Sequence, residues 1–419
     1  MMECTWKAVL LLVFASLGIQ YTAIKSLRMA YKAPCMGMGV QNQCLQRDIK
    51  NNASRLLCEG TNNLHASLQQ HNRKHIIILS MTRSGSSFLG QFFNQNPDIF
   101  YLYEPLYHVQ RTFANSSSRV QVDRRAFVGA YRDLLQNLYD CDFYFLENYI
   151  WPAPKDHETS VFFRRGASNA LCSPPLCDQL QKIEEHVCSR KCPPLNFTAV
   201  SKSCRTYKHM AIKTVRIPEV NDLKTLAEDP RLNLKIIHLV RDPRGILASR
   251  ISTFVDLYRS WKIWNSSGRR PYSLDLTQIT TMCTDLASSV QTGFMRPSWL
   301  KGKYMLVRYE DIANDPVKKA KEMYDFVGLE WRKDVQRWIE QNTNGSVTPT
   351  ANFKFSTSRN SAETSENWRL HLRLDIVRKL QDLCNGTFSL LGYKMVDSVA
   401  TLKNSSTSLV EPRTFLAFT

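Results

Sequence analysis

The stretch HIIILSMTRSGSSFLGQFFNQ, from His75 to Gln95, predicts a strand, a loop and a helix in succession. Residues 76–79 form a continuous aliphatic run, which is typical of a strand in a parallel sheet covered by helices on both faces. From Ser86 onward, large apolar residues recur at helical spacing. The loop therefore opens a helix, whose unpaired N–H groups and positive dipole end attract anions. We predict a phosphate or sulfate site at this loop.

The composition of this loop suits an anionic ligand. Gly85 lets the backbone approach the ligand closely, the serines add hydroxyl donors, and Arg83 supplies a planar fork of N–H donors. An ordinary strand–turn–helix junction is the alternative, because Gly/Ser turns are common. The residues predicted to bind the anion are Thr82, Arg83, Ser84, Gly85, Ser86, Ser87 and Phe88.

A second loop, RDPRGILASR at residues 241–250, also follows an apolar strand and opens a helix. Pro243 fixes φ at the helix start and Asp242 can cap it. Taken alone, this motif is also typical of a salt-bridged turn. In a parallel sheet, however, both loops emerge at the same carboxyl edge, where α/β folds bind ligands. The residues predicted to bind a second anionic group are Arg241, Asp242, Pro243, Arg244, Gly245, Ile246, Leu247, Ala248 and Ser249.

The rest of the chain predicts an α/β fold with a mostly parallel sheet flanked by helices. Further strands are expected at residues 99–105, 209–216, 234–242 and 303–311, and helical patterns occur at 124–140 and 316–329. The Ser/Thr-rich segment after Tyr393 is expected to be poorly ordered.

The N-terminal sequence predicts a membrane anchor. Residues 8–24 are uncharged and almost wholly apolar, at the short end of what spans a bilayer. A cleaved signal peptide is the alternative, but Gln20, Tyr21 and Thr22 make a poor cleavage site. We therefore predict a cytoplasmic tail at 1–7, a signal-anchor transmembrane helix at 8–24, a lumenal stem at 25–73, a catalytic domain at 74–396 and a C-terminal tail at 397–419.

Cysteines and glycosylation triplets also favour the secretory pathway. Five of the twelve cysteines lie in the Pro-rich segment 172–204 without a CxxC pair, which predicts a disulfide-stapled loop rather than a zinc site. Eleven cysteines follow Cys4, so at least one is expected to be unpaired or bonded between chains. The Asn-x-Ser/Thr triplets predicted to carry glycans begin at Asn52, Asn115, Asn196, Asn265, Asn344, Asn385 and Asn404.

The net charge of +18 favours an anionic partner. Nucleic acid is not expected, because the chain has no basic block with interleaved aromatics, no zinc-finger spacing and no RNA-binding signature. An acidic polysaccharide or an acidic membrane surface remains.

The motifs TRSGSSF (82–88) and RDPRGILAS (241–249) resemble the cofactor motifs of the Golgi carbohydrate sulfotransferases. The similarity also includes FYLYEPLYHVQ, NLYDCDFYFLENYI and WLKGKYMLVRYED, and it is closest to the keratan sulfate branch of the galactose, N-acetylglucosamine and N-acetylgalactosamine 6-O group. It implies the P-loop-like fold of sulfotransferases that use 3′-phosphoadenylyl sulfate (PAPS). The first loop would hold the 5′-phosphosulfate and the second the 3′-phosphate, with no metal.

The resemblance implies sulfuryl transfer to the 6-hydroxyl of galactose in keratan sulfate or N-acetyllactosamine-type glycans. The same reaction on N-acetylgalactosamine of chondroitin, or on N-acetylglucosamine, is the alternative. The protein would be a single-pass type II protein of the Golgi membrane with a lumenal catalytic domain. Its partner would be an acidic glycan or proteoglycan, with a homo-oligomer among the assemblies that the sequence allows.

Two catalytic roles are predicted, with three candidate residues. Arg83 would stabilise charge on the transferred group, and Glu104, at the end of the strand IFYLYEP, would be the general base. The family's preference for Glu in this motif supports that choice, and His108 is the alternative base. Lys213 and Arg216 are candidates for glycan binding or ordinary surface charges, and residues 356–369 resemble a lid.

Two other classes of protein share some of these features. A P-loop kinase also has a Gly-rich loop after its first strand, but it needs GxxxxGK[ST], which the loop at 82–88 lacks. A non-catalytic glycan-binding membrane protein fits the charge and the triplets but not two phosphate-binding loops.

Overall fold

A five-stranded parallel sheet forms the centre of the computed structural model, which describes residues 73–116, 123–178, 185–343 and 365–418. Its order is β2-β5-β1-β6-β7, and every neighbouring pair is parallel. Each of the five predicted strands is present. The strands, with a separate antiparallel pair β3 and β4, are β1 His75–Ser80, β2 Ile99–Tyr103, β3 Glu158–Thr159, β4 Leu195–Asn196, β5 His209–Thr214, β6 Leu234–Val240 and β7 Tyr304–Arg308.

Helices follow most strands and cover both faces of the sheet, which confirms the predicted α/β class. The helices are α1 Ser86–Asn94, α2 Tyr107–Ser116, α3 Arg124–Tyr139, α4 Tyr144–Glu147, α5 Glu185–Lys191, α6 Phe197–Thr206, α7 Lys224–Ala227, α8 Pro243–Thr253, α9 Arg259–Ser267, α10 Thr277–Met295, α11 Tyr309–Asn314, α12 Pro316–Val327, α13 Lys333–Thr343, α14 Trp368–His371, α15 Leu374–Leu383, α16 Asn385–Leu391 and α17 Val399–Lys403.

The central strand β1 explains why its sequence is apolar throughout. All six of its residues are buried. Because side chains alternate across a strand, Ile77 joins the apolar core on one face of the sheet while Ile76 and Ile78 join the core on the other. A strand with helices on both faces needs apolar residues at every position.

The predicted cytoplasmic tail, anchor and stem (1–7, 8–24 and 25–73) lie outside the described residues, apart from Arg73. Within the part of the chain that the structure describes, no helix is both long enough and apolar enough to cross a bilayer.

The expectation of a poorly ordered C-terminal segment is wrong for residues 394–418. Leu402 and Leu409 are buried, and the guanidinium of Arg369 donates to the carbonyl oxygens of Leu402 and Thr407 at 3.0 and 2.8 Å. The N–H of Phe418 donates to the carbonyl of Tyr304 on the edge strand β7 at 3.0 Å. Ser/Thr-rich composition predicted disorder, but a buried arginine surrounded by backbone acceptors holds this segment in place.

Four disulfides join the eight cysteines of the described residues: Cys141–Cys204, Cys172–Cys188, Cys177–Cys192 and Cys283–Cys384. Two of them lie within the Pro-rich segment and confirm the predicted stapled loop. The fifth cysteine of that cluster, Cys204, pairs outside it. Cys35, Cys44 and Cys58, on which the predicted unpaired thiol depends, lie outside the described residues, as does Cys4.

Candidate active site

A cavity of about 670 Å³ lies at the carboxyl edge of the sheet, where the two predicted anion loops meet. The first loop contributes Thr82, Arg83, Gly85, Ser86, Ser87 and Phe88 to its wall. Gly85 has a φ of 91°, and a Cβ there would lie 2.3 Å from the ring of Tyr309. Glycine is therefore required at this turn. Within the described residues no side chain caps α1. The first N–H groups of this helix, at the end that borders the cavity, therefore have no capping side chain.

One member of the first motif does not line the cavity. Ser84 is 1% exposed, and its hydroxyl has no hydrogen-bond partner among the described residues. The other six predicted residues of this motif do come together at the cavity.

The second loop is built differently from the first, although the two looked equivalent in sequence. Asp242 caps α8 by accepting from the N–H of Arg244 at 2.8 Å, as predicted, and it also accepts from the Arg244 guanidinium at 2.6 Å. Arg244 is fully buried, with its guanidinium 4.3 Å from the ring centre of Trp368. Because a carboxylate already occupies this helix start, the backbone there is a poor anion site.

The side chains of the second loop therefore carry its binding capacity. Of the nine residues predicted here, the cavity wall includes Arg241, Gly245, Ala248 and Ser249. The remaining five, Asp242, Pro243, Arg244, Ile246 and Leu247, are buried behind that wall.

Direct hydrogen bonds join the two loops. The Nε of Arg83 donates to the hydroxyl of Ser249 at 2.9 Å, and the Nη1 of Arg241 donates to the carbonyl of Arg83 at 3.0 Å. Arg250 donates to the carbonyl of Thr82 at 3.2 Å. The guanidinium groups of Arg83 and Arg241 therefore belong to one continuous wall. Such a wall suits a ligand with two anionic groups.

Glu104 follows directly after β2 and belongs to the same cavity. Its backbone has a φ of 47°, a left-handed conformation that is uncommon for a residue with a side chain. The carboxylate is 6% exposed, lines the cavity, and forms ion pairs with Lys213 and with Arg216, the second at 3.0 Å. Burial raises its pKa, but the two cations outweigh burial and hold the pKa below its ordinary value.

Lys213 and Arg216 are therefore not simple surface charges. The Lys213 side chain is 2% exposed and pairs with Glu104, while Arg216 also donates to the amide of Gln110 at 2.5 Å. Each carboxylate oxygen of Glu104 keeps further lone pairs for a hydroxyl that enters the cavity.

His108 does not reach the cavity. It is 2% exposed, and its Nε2 accepts a hydrogen bond from the N–H of Phe163 at 3.1 Å. Burial, with a further contribution from Arg111, lowers its pKa to about 4. The environment is that of a packing histidine.

The far wall of the cavity comes from elements that sequence reasoning did not assign to the site. Its residues from α8 to α9 are Ile251, Ser252, Val255, Lys262, Asn265 and Ser266, and those around α14 are Asn367, Trp368, His371 and Leu372. The predicted lid at 356–369 lies outside the described residues except for its last five positions. Two of these, Asn367 and Trp368, line the cavity.

Tyr103 and Arg164 were also missed. Tyr103 lines the cavity, and its hydroxyl contacts Ser87 at 3.0 Å and accepts from Arg164 at 2.7 Å. An aromatic residue with a polar tip at the carboxyl end of a strand is a signal that could have identified Tyr103. Arg164 follows no recognisable pattern, because it lies in an irregular segment.

The predicted glycosylation positions differ in their surroundings. Asn385 and Asn404 are exposed, and Asn196 is half-buried and caps α6 by accepting from Ala199. Asn265 lines the cavity, donates to the carbonyl of His371 at 2.8 Å and accepts from the N–H of Arg373 at 3.0 Å. Asn52, Asn344 and the side chain of Asn115 lie outside the described residues.

Comparison with known proteins assigns this architecture to a family. The sulfotransferase domain model matches residues 73–398. Carbohydrate sulfotransferase 1 of Danio rerio is 53% identical over 423 residues, which cover 100% of both chains. Carbohydrate sulfotransferase 3 of Mus musculus is 44% identical over 345 residues, which cover 81% of this chain and 72% of the relative. A solved structure, the sulfotransferase domain from the curacin biosynthetic pathway, is 15% identical with a TM-score of 0.38, covering 77% of this chain and 99% of that domain. The chain belongs to the sulfotransferase family and, within it, to the carbohydrate sulfotransferases.

Proposed function

We propose that this sulfotransferase transfers the sulfuryl group of PAPS to the 6-hydroxyl of galactose in keratan sulfate or N-acetyllactosamine-type glycans. It acts in the Golgi lumen as a single-pass type II membrane protein. The observation that carries the donor assignment is the Arg83–Ser249 hydrogen bond of 2.9 Å, which joins the two anion loops into one wall. PAPS has two separated anionic ends, and this wall offers a cationic group near each loop. The galactose acceptor rests on the motif resemblance, with chondroitin N-acetylgalactosamine and N-acetylglucosamine as alternatives.

The first loop and its neighbours bind the phosphosulfate end. The N–H groups at the start of α1 and the guanidinium of Arg83 stabilise negative charge on the sulfuryl group and on the departing phosphate. Arg241 and Ser249 hold the 3′-phosphate, which fixes the donor along the wall. PAPS supplies a sulfuryl group on a good leaving group, so the protein mainly positions the reactants and stabilises charge.

Glu104 accepts the proton of the acceptor hydroxyl. The hydroxyl oxygen bonds to sulfur as the bond from sulfur to the phosphate oxygen breaks, and adenosine 3′,5′-bisphosphate (PAP) leaves. The low pKa of Glu104 keeps the carboxylate ionised and ready to accept a proton at neutral and mildly acidic pH. Lys213 lies beside it and neutralises part of the charge that develops during transfer.

The first prediction concerns the donor loops. Arg241→Ala should weaken PAP binding by about 1.5–3 kcal/mol, the usual contribution of a charged hydrogen bond, and Arg83→Ala should abolish turnover. PAP should raise the melting temperature of the wild type and ATP should not. Thermal shift measures binding of PAP and ATP. A sulfate-transfer assay with EDTA present measures turnover and should show that no divalent metal is required.

Arg231→Ala is the matched control, since Arg231 is an exposed arginine paired with Asp229 away from the cavity. Normal turnover in Arg83→Ala together with unchanged PAP binding in Arg241→Ala would contradict the donor site. A preference for ATP with a magnesium requirement would favour a nucleotide kinase. A panel of desulfated keratan, chondroitin and N-acetylglucosamine-terminated acceptors tests the acceptor sugar.

A further inference from the structure

We propose that Arg164 and Tyr103 are positioning residues that orient the hydroxyl of Ser87, so that its hydrogen points at the phosphosulfate end of PAPS. The inference rests on the proposed function, because it assigns a task within the same donor site. Arg164 donates to the hydroxyl of Tyr103 at 2.7 Å, and that hydroxyl lies 3.0 Å from the hydroxyl of Ser87. Ser87 belongs to the first anion loop and lines the cavity.

Counting donors and acceptors fixes the direction of the hydrogen bonds that run from Arg164 through Tyr103 to Ser87. A guanidinium nitrogen can only donate, so the Tyr103 oxygen must accept from Arg164. If Ser87 also donated to Tyr103, the single hydroxyl hydrogen of Tyr103 would have no partner among the described residues. Tyr103 is 4% exposed whereas Ser87 is only half-buried, so an unpaired hydrogen costs more on Tyr103 than on Ser87. Tyr103 therefore donates to Ser87, and the hydrogen of Ser87 is left to donate into the cavity.

Arg164 is well placed to impose this direction. Its side chain is 18% exposed, and its guanidinium pairs with both carboxylate oxygens of Glu185 at 2.5 Å. Because Glu185 fixes the far side of the fork, the Nη1 of Arg164 has little freedom to turn away from Tyr103. Arg164 adopts a left-handed backbone with φ of 47°, and Arg83 and Glu104 in the same site are also left-handed, with φ of 75° and 47°.

The anchor at Glu185 belongs to the disulfide-stapled segment. Glu185 begins α5, which carries Cys188 and is tied by the Cys172–Cys188 disulfide to the chain that follows Arg164. The backbone of Glu185 packs directly against Gly166. A Cβ at position 166 would lie 2.1 Å from the carbonyl oxygen of Glu185. The stapled segment thus holds Arg164 in place beside Tyr103.

Two cations lie close to the ring of Tyr103. The guanidinium of Arg164 is 4.6 Å from its ring centre and the ammonium of Lys213 is 4.4 Å from it. These contacts fix the ring on a strand end that is otherwise apolar. The hydroxyl is consequently held at one position relative to Ser87.

The test compares PAPS affinity in the full-length protein without an acceptor. Tyr103→Phe removes the hydroxyl and keeps the ring, so the Kd for PAPS should rise roughly tenfold, as for one hydrogen bond to an anion. Tyr101→Phe is the matched control, because Tyr101 lies two residues earlier on the same strand and its buried hydroxyl has no partner among the described residues. Tyr101→Phe should bind PAPS like the wild type.

A double-mutant cycle separates positioning from a merely structural role. Ser87→Ala alone should also weaken PAPS binding, and adding Tyr103→Phe should cause no further loss, because the orienting hydroxyl then has nothing to orient. Arg164→Gln should reproduce the Tyr103→Phe loss in the presence of Ser87 but not in its absence. Arg164→Lys should restore part of the affinity, since lysine can donate to Tyr103 but cannot form the fork with Glu185.

Three results would overturn the inference. Losses from Tyr103→Phe and Ser87→Ala that simply add would mean that Tyr103 acts on the ligand directly or through the fold. Wild-type affinity in Tyr103→Phe would mean that the hydroxyl has no part in binding. Failure of the wild type and Tyr101→Phe to bind PAPS at all would instead remove the proposed donor, and with it this inference.

Discussion

At the scale of single residues, Glu104 combines opposing influences that define its chemistry. It is buried on a strained backbone, yet two cations keep it charged. A carboxylate in this setting is always available as an acceptor in the physiological range, and it depends on nearby positive charge to remain stable there. The neighbouring histidine, His108, has no opening to the cavity, and this geometry separates it from Glu104.

We predict that Glu104→Gln lowers the transfer rate by ~10²–10⁴-fold, the usual contribution of a general base, while PAP affinity stays normal. Initial rates and PAP titration measure the two effects. Because the pKa of Glu104 is lowered, the wild-type rate should not lose Glu104 function until the pH falls below its ordinary value of 4.5. Glutamine leaves Lys213 buried without its ion partner, so unfolding must be measured alongside. A variant with near-full rate, or a wild-type acid limb near pH 6–7 that this variant abolishes, would contradict this assignment.

At the residue level, sequence reasoning located cavity-lining residues where a turn or a charge makes a specific demand. Gly85 and Arg83 were found because a close backbone approach and a donor fork suit only a few residue types. Arg244 misled, because an arginine in an anion-binding motif looks the same in sequence whether it faces the ligand or neutralises Asp242. Arg164 was not identified from the sequence, because nothing near it in the chain indicates that the fold brings it to Tyr103.

At the scale of elements, two strand–helix junctions share one buried acid. Glu310, at the start of α11 after β7, accepts from the N–H of Asp242 at 3.0 Å, and the hydroxyl of Tyr393 donates to it at 2.9 Å. Burial, reinforced by the charge of Asp242, raises the pKa of Glu310 to about 7. The contact ties β7 and α11 to the start of α8, and so to the second anion loop.

Glu310 should make stability depend on pH. Its folded pKa lies above the ordinary 4.5, so the folded state favours the protonated acid, and this contribution is lost as pH rises from about 4.5 through about 7. Glu310→Gln imitates the protonated form, because its amide oxygen can accept from the N–H of Asp242 and its NH2 group can donate to the hydroxyl of Tyr393, which reverses that hydrogen bond. We predict a melting temperature a few degrees above wild type at pH 8 and little difference at pH 5. Thermal unfolding at both pH values provides the measurement, with Glu322→Gln on the surface as control. An equal shift at both pH values would show that titration is not its cause.

The elements were predictable because their periodicities are strong, whereas their ends were not. The predicted strand 99–105 ends at Tyr103, because Glu104 adopts a left-handed backbone that no strand can include. The predicted strand 209–216 likewise ends at Thr214. In both segments the backbone leaves the sheet where the candidate site begins, so the errors in the predicted strand ends coincide with residues of that site.

At the scale of the whole molecule, exposed basic residues continue from the cavity wall along one helix. Beside the far wall, α9 and the residues after it expose Arg259, Lys262, Arg269 and Arg270. Sequence reasoning found the near wall, which two motifs build, and missed this far wall. Its residues come from helices that are distant in the chain from either motif and meet the motifs only through packing.

We predict that raising salt increases the apparent KM for keratan sulfate much more than for a short neutral N-acetyllactosamine acceptor. Attraction between the +18 chain and a polyanion is screened beyond a Debye length of about 8 Å at physiological ionic strength. Initial-rate curves at low and high salt with both acceptors measure this. Glu104→Gln should show the same salt response at its lower rate, because the surface charge acts separately from the base. An equal salt effect on the two acceptors would show that the charge does not serve glycan recognition.

The two overlapping disulfides of the stapled segment have a practical consequence for anyone who produces the enzyme. Neither Cys172–Cys188 nor Cys177–Cys192 is expected to form in a reducing bacterial cytosol. Material from such a host would carry every motif residue, yet Glu185 would not be fastened against Arg164. A soluble but weakly binding preparation would then reflect the choice of expression host, and an oxidising secretory host is the one to use.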